Sequence, residues 1–168
     1  MSSLNFTENL VETMDWLHTQ GAFLTVKDGD TVNTMTISWG QIGYQWRKPV
    51  FMVLVRKSRY TYELLENAKE FTVSIPFSKN LKQALTICGT KTGKDIDKFK
   101  ECDLYLKEGN KISTPIIENA DMHYECKVVY SHPIDINMIN DLEVKKLYED
   151  GNYHTLYYGE IVDIYKTK

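Results

Sequence analysis

Residues 32–39, VNTMTISW, alternate strictly and predict a strand. Asn33, Met35, Ile37 and Trp39 fall on one face; Val32, Thr34, Thr36 and Ser38 fall on the other. Three successive hydroxyls on one face call for water or a hydrogen-bonding partner there. Upstream, ENLVETMDWLH at 8–18 has helical spacing, with Leu10, Met14 and Leu17 on one side, Thr7 as its cap and Gly21 as its end. AFLTVKD then predicts a strand, and DGD at 28–30 a tight hairpin turn. VFMVLV at 50–55 is apolar on both faces, as in a fully covered strand.

The helical period returns in SRYTYELLENAKE at 58–70, and alternation in FTVSIP at 71–76. KNLKQALTI at 79–87 predicts a helix with Leu81 and Leu85 inward, and KDIDKFKEC a short helical turn. The mixed stretch 104–118 contains Pro115. MHYECKVVY at 122–130 predicts a strand, NDLEVKKLYED at 140–150 a surface helix, and HTLYYGEIVDIY a long closing strand. About seven strands with three or four short helices imply a mainly β protein, a closed or partly closed barrel rather than a β-α-β repeat. No repeat or linker divides the 168 residues, so one domain is expected.

Composition narrows the classes. A net charge of -3 offers no general attraction for nucleic acid or an anionic membrane. The three cysteines, Cys88, Cys102 and Cys126, form no C-x-x-C pair, and the first ten residues lack a leader pattern. A cytoplasmic protein is expected. Eleven tyrosines suit half-buried sheet faces and ligand clefts.

Several chemistries are excluded. GTKTGK at 89–94 has only three residues between its glycines, and Asp95 where a magnesium-binding hydroxyl belongs, so it is no nucleoside-triphosphate loop. The alternatives are a flexible turn or a loop whose Lys94 or Lys98 reaches an anion. No G-x-G-x-x-G follows a strand, no G-x-S-x-G elbow occurs, and the four histidines lack metal-ligand spacing. HYEC at 123–126 lacks the P-C-x-x-C partner of a zinc deaminase. No metal is expected. VRKSRYTYELL at 55–65 is the strongest constellation. A covered strand ends, Arg56, Lys57, Ser58, Arg59 and Thr61 follow, and a helix begins. Unpaired N–H groups and the helix dipole favour an anion there, a phosphate above all. A capped helix with solvated cations is the other reading. His154, at the start of the last strand, either orients a ligand or is an ordinary surface residue.

Four segments in order, NTMTISWG (33–40), VRKSRYTYELL (55–65), GTKTGKDIDKF (89–99) and GNYHTLYYGEIVDI (151–164), resemble the flavin reductase-like family of FMN-binding split β-barrels, flavoredoxin-like members among them. The resemblance runs from about Gly21 to Ile164. Thr92-Gly93 replaces a common Ser-Gly pair, and Lys57 a common proline. The resemblance implies FMN in a groove at a homodimer interface, with NADH or NADPH as a donor. Thr34, Thr36 and Ser38 would line the groove or the dimer seam, backbone atoms of Asn33 and Met35 would face the ring, and Trp39 would close one side. Arg56 or Arg59 would neutralise the phosphate, with Ser58, Tyr60 and Thr61 around it, and Lys98 near it or the ribityl chain. His154 would stand at the ring as the catalytic residue, placing a nicotinamide, donating a hydrogen bond or, as a cation, raising the reduction potential. The function implied is an NAD(P)H-dependent flavin reductase. The alternatives are an electron carrier docking a redox protein and, with no cofactor at all, a β-barrel binding module.

Overall fold

The structure is a computed structural model and describes residues 4–167. Residues 1–3, which open the segment read as lacking a leader, and Lys168 lie outside it.

Helix α1 (Leu10–Thr19) buries Thr13 and Leu17 against the sheet. Its cap differs from the expected one. Asn9, in the left-handed region at φ 55°, begins the helix without a side-chain cap, while the Thr7 hydroxyl donates to Asn5 Oδ1. Gly21 ends the helix as expected. Its φ is +100°, and a Cβ there would stand 2.9 Å from both the Ile37 carbonyl oxygen and Thr36 Cγ2, so glycine is required twice over.

Strands β1 (Ala22–Asp28) and β2 (Thr31–Ile37) form the predicted hairpin, pairing Ala22 with Ile37 through Asp28 with Thr31. After the corner at Ser38 and Trp39 comes a strand that periodicity did not reveal, β3 (Gly40–Gln45). It turns into β4 (Lys48–Arg56) through Trp46 and Arg47, both left-handed at φ 52° and 61°. Such a turn normally signals itself by Asn-Gly. Here two bulky residues occupy it at a cost of about 1–2 kcal/mol each. Trp46 packs edge-on against Tyr130 and Tyr158, both at 5.8 Å, which offsets part of that cost.

Helix α2 (Tyr60–Ala68) leads to β5 (Glu70–Ile75), and α3 (Lys82–Thr90) and the one-turn α4 (Lys98–Glu101) follow. Two two-residue strands, β6 (Leu106–Lys107) and β7 (Ile116–Ile117), pair with each other. The long strands β8 (Met122–Pro133) and β9 (His154–Lys166) enclose the short α5 (Leu142–Lys146).

Seven strands form one antiparallel sheet in the order β2-β1-β5-β8-β9-β4-β3. Register slips at Glu125/Cys126 and Val128/Tyr130 bend β8 against β9. Gly159 lets the bend close, since a Cβ there would meet Phe71 Cζ at 2.6 Å and Cys126 Cβ at 2.7 Å. The core within the curl contains Phe51, Phe71, Tyr124 and Tyr157, with Phe51 and Tyr124 edge to face at 5.2 Å. A second cluster, of Phe23, Ala84, Leu85, Cys88 and Ile117, lies where α3 covers the other face of β1 and β2.

That second cluster accounts for the hydroxyl face of β2. Thr34 Oγ1 donates to the Leu24 carbonyl and accepts from Thr25 Oγ1, and Thr36 Oγ1 donates to the Leu85 carbonyl at 2.6 Å. These hydroxyls fasten β2 to β1 and to α3, because a buried hydroxyl needs a partner.

Candidate functional site

Strand β2 is an edge strand, hydrogen-bonded to β1 on one side only. Beside it lie two cavities, of about 160 and 210 Å³, that share Met35 and Arg59. They lie side by side, one reaching the end of β4 and the other the loop after α3.

The smaller cavity is lined by Met35, Thr36, Ile37, Ser38, Trp39, Leu54, Arg56, Arg59 and His154. Register explains the meeting: β4 pairs with β9 so that Arg56 lies opposite His154. Trp39, 44% exposed, faces the His154 ring at 5.3 Å. His154 itself is only 8% exposed, with Nδ1 2.9 Å from the Tyr148 hydroxyl. Burial, reinforced by Arg56 and Arg59, lowers its pKa to about 4. The imidazole is therefore neutral at pH 7, and the expectation of a cationic His154 is corrected.

The larger cavity brings Ser58, Arg59, Tyr60 and Thr61 from the start of α2 against Asn33, Thr92, Gly93, Lys91, Asp95 and Lys98. The Tyr60 and Thr61 amides have no intrahelical acceptor, as at any helix start, and no side chain caps this one. Asn33 Nδ2 donates to the Thr61 hydroxyl at 2.8 Å. Gly93 packs where a Cβ would fall 2.0 Å from Asn33 Oδ1, so the GTKTGK segment is a fitted loop. Lys98 is 4% exposed, and its Nζ donates to the carbonyls of Thr34 (2.8 Å) and Cys88 (2.9 Å). Burial lowers its pKa. Among the described residues neither Lys98 nor Arg59 has a carboxylate partner. Three cations, Arg59, Lys91 and Lys98, line this polar cavity with a single carboxylate, Asp95, and the net positive lining suits an anion.

Three expected site residues have their polar groups engaged elsewhere. Thr34 is fully buried and its hydroxyl is spent on β1, although its carbonyl holds Lys98. Arg56 lines the smaller cavity and is spent on the segment before β9, bonding the carbonyls of Leu147 and Asn152 and pairing with Asp150. Of the two arginines, only Arg59 lines the larger cavity. Lys94 turns outward to Glu63 at 2.6 Å and over the Tyr60 ring. Ser58 lines the anion cavity and accepts a bond from Asn152 Nδ2. Sequence reasoning missed Tyr148, whose only signal was a tyrosine six residues before His154.

The sheet order and groove define the class, an FMN-binding split-barrel fold. The chain belongs to the Flavin reductase like domain family, which it matches over residues 14–168. It is similar to an uncharacterized protein of Archaeoglobus fulgidus, 28% identical over 155 residues that cover 92% of this chain and 77% of that one. Flavoredoxin of Desulfovibrio vulgaris (Miyazaki F) superposes with a TM-score of 0.68 at 25% identity, over 88% of this chain and 69% of that one. The FMN-binding protein from Thermus thermophilus with bound 1-cyclohex-2-enone superposes with a TM-score of 0.67 at 23% identity, over 88% and 70%. Among the described residues no helix is long and apolar enough to cross a membrane.

Proposed function

We propose that the protein binds FMN non-covalently and works as an NAD(P)H-dependent flavin reductase. The observation that carries this reading is the adjacency of two cavities that share Met35 and Arg59: one lined by Arg59, Lys91 and Lys98 with a single carboxylate, Asp95, the other walled by Trp39 and His154. The residues present fit the group. Arg59 and Lys98, with Ser58, Thr61, Thr92 and the first amides of α2, would hold the phosphate. The outer edge of β2 at Asn33, Met35 and Ser38, with Trp39, would hold the ring. FMN, when bound, supplies the redox chemistry. The chain's own part is to bind, orient and exclude water; a neutral His154 offers a hydrogen bond, not a charge. The flavin reductase-like family and the Thermus FMN-binding protein support the cofactor.

A cavity of about 160 Å³ is small and open for such a ring. This supports a homodimer in which a second copy completes the groove. Three unpaired cysteines support a cytoplasmic setting. The likeness to flavoredoxin favours a second reading, in which bound flavin carries electrons between redox proteins.

Spectral titration with FMN, then NADH and NADPH, tests the proposal. Saturable flavin binding with rapid bleaching by a nicotinamide is expected. Binding without bleaching selects the carrier, and failure to take up FMN overturns both. Mass in solution, with and without FMN, tests the dimer.

A further inference from the structure

Residues 134–153 leave the sheet between β8 and β9, pass through the turn Ile136–Met138 and α5, and return at His154. Tyr148 is the buried side chain of this excursion, 4% exposed. Its ring meets the His154 ring edge-on at 5.6 Å, with the hydroxyl 2.9 Å from Nδ1. Arg56 stacks 5.4 Å from the Tyr148 ring centre. The same guanidinium bonds the Leu147 and Asn152 carbonyls and pairs with Asp150 at 3.6 Å. One residue of β4 thus clamps the chain on both sides of Tyr148.

A neutral imidazole has one donor nitrogen and one acceptor nitrogen, and a phenol can serve either. The guanidinium over the Tyr148 ring decides between them. A positive charge there polarises the O–H, which strengthens it as a donor and weakens its oxygen as an acceptor. Nδ1 then accepts, and the hydrogen sits on Nε2. Nε2 has no partner among the described residues, and the ring lines the smaller cavity beside Trp39. We infer that Tyr148, clamped by Arg56, is a positioning residue that holds His154 in its Nε2–H form. The cavity is thereby offered a neutral N–H donor, suited to an acceptor atom such as a carbonyl oxygen. The charged groups facing His154 are Arg56 and Arg59, and both oppose a second proton. This use of the donor rests on the proposed reading of the cavity as the ring and donor site; the tautomer does not.

Long-range proton–nitrogen correlation of the imidazoles in the ¹⁵N-labelled full chain, without flavin, tests it at pH 7. Wild-type His154 is expected as a single Nε2–H tautomer, and Tyr148→Phe as a mixture of the two. A wild-type ring protonated at Nδ1 overturns the inference, even if the variant fails to fold. So does a Tyr148→Phe protein that keeps Nε2–H alone. Because no FMN is present, the outcome is separable from failure of the flavin reading.

Discussion

Lys98→Met separates binding from stability. The wild-type ammonium is buried, bonded to two neutral carbonyls and faced by Arg59. Methionine keeps the length and apolar stem of the side chain. It removes two charge-assisted bonds, about 1.5–3 kcal/mol each, and leaves two carbonyls short of a donor. It also removes a buried cation without a counter-ion, whose burial costs several kcal/mol. The opposing contributions leave the flavin-free protein within about 2 kcal/mol of wild type. FMN binding has no such offset. Loss of one ammonium–phosphate bond costs about 1.5–3 kcal/mol, or roughly ten- to a hundredfold in Kd. Quenching of flavin fluorescence gives the Kd, and urea unfolding without flavin gives the stability. Riboflavin, which lacks the phosphate, is the control and should bind wild type and variant alike. An unchanged Kd for FMN, or an equal loss for riboflavin, would refute the assignment of Lys98 to the anion. A loss of flavin-free stability well beyond this range would make Lys98 a structural residue.

Arg59→Ala should weaken FMN by about 1.5–3 kcal/mol, whereas Arg56→Ala should act mainly on the stability of the segment before β9; equal effects on Kd would return the phosphate to Arg56. Gly93→Ala should cost about 1–3 kcal/mol in thermal unfolding, because Asn33 is tied to Thr61 and cannot yield to the new methyl; an unchanged Tm removes the fitted loop. His123 is fully buried between the Ser74 and Thr167 hydroxyls, and burial lowers its pKa to about 4. The unfolded chain binds this proton below about pH 6.5 while the fold refuses it until about 4, so stability should fall across that window, by up to about 3 kcal/mol. Unfolding followed from pH 7 to 4 should show the slope, and His123→Asn should reduce it to the share left by His154, whose pKa burial also lowers to about 4.

Local sequence determined most of the elements. Hairpin β1–β2, the apolar β4 and the helices α1 to α3 are legible because period and turn residues agree with what tertiary contacts require. One wall of the larger cavity was legible for a similar reason, since Ser58, Arg59, Tyr60 and Thr61 are neighbours in sequence at a helix start. Strand β3 was hidden by a turn built from Trp46 and Arg47, whose conformation is held by aromatic packing from β8 and β9. Alternation put Thr34, Thr36 and Ser38 on one face, but it carries no information on what covers that face. Only the docking of α3 gave the Thr36 hydroxyl its partner, and only the Thr25 and Leu24 contacts withdrew Thr34 from the groove. Likewise Arg56 and Arg59, three residues apart and chemically identical, were separated by the β4–β9 register, which turned one toward the Tyr148 segment and left the other facing the cavity. Identity and spacing decide which groups are available; long-range packing decides which of them are already spent.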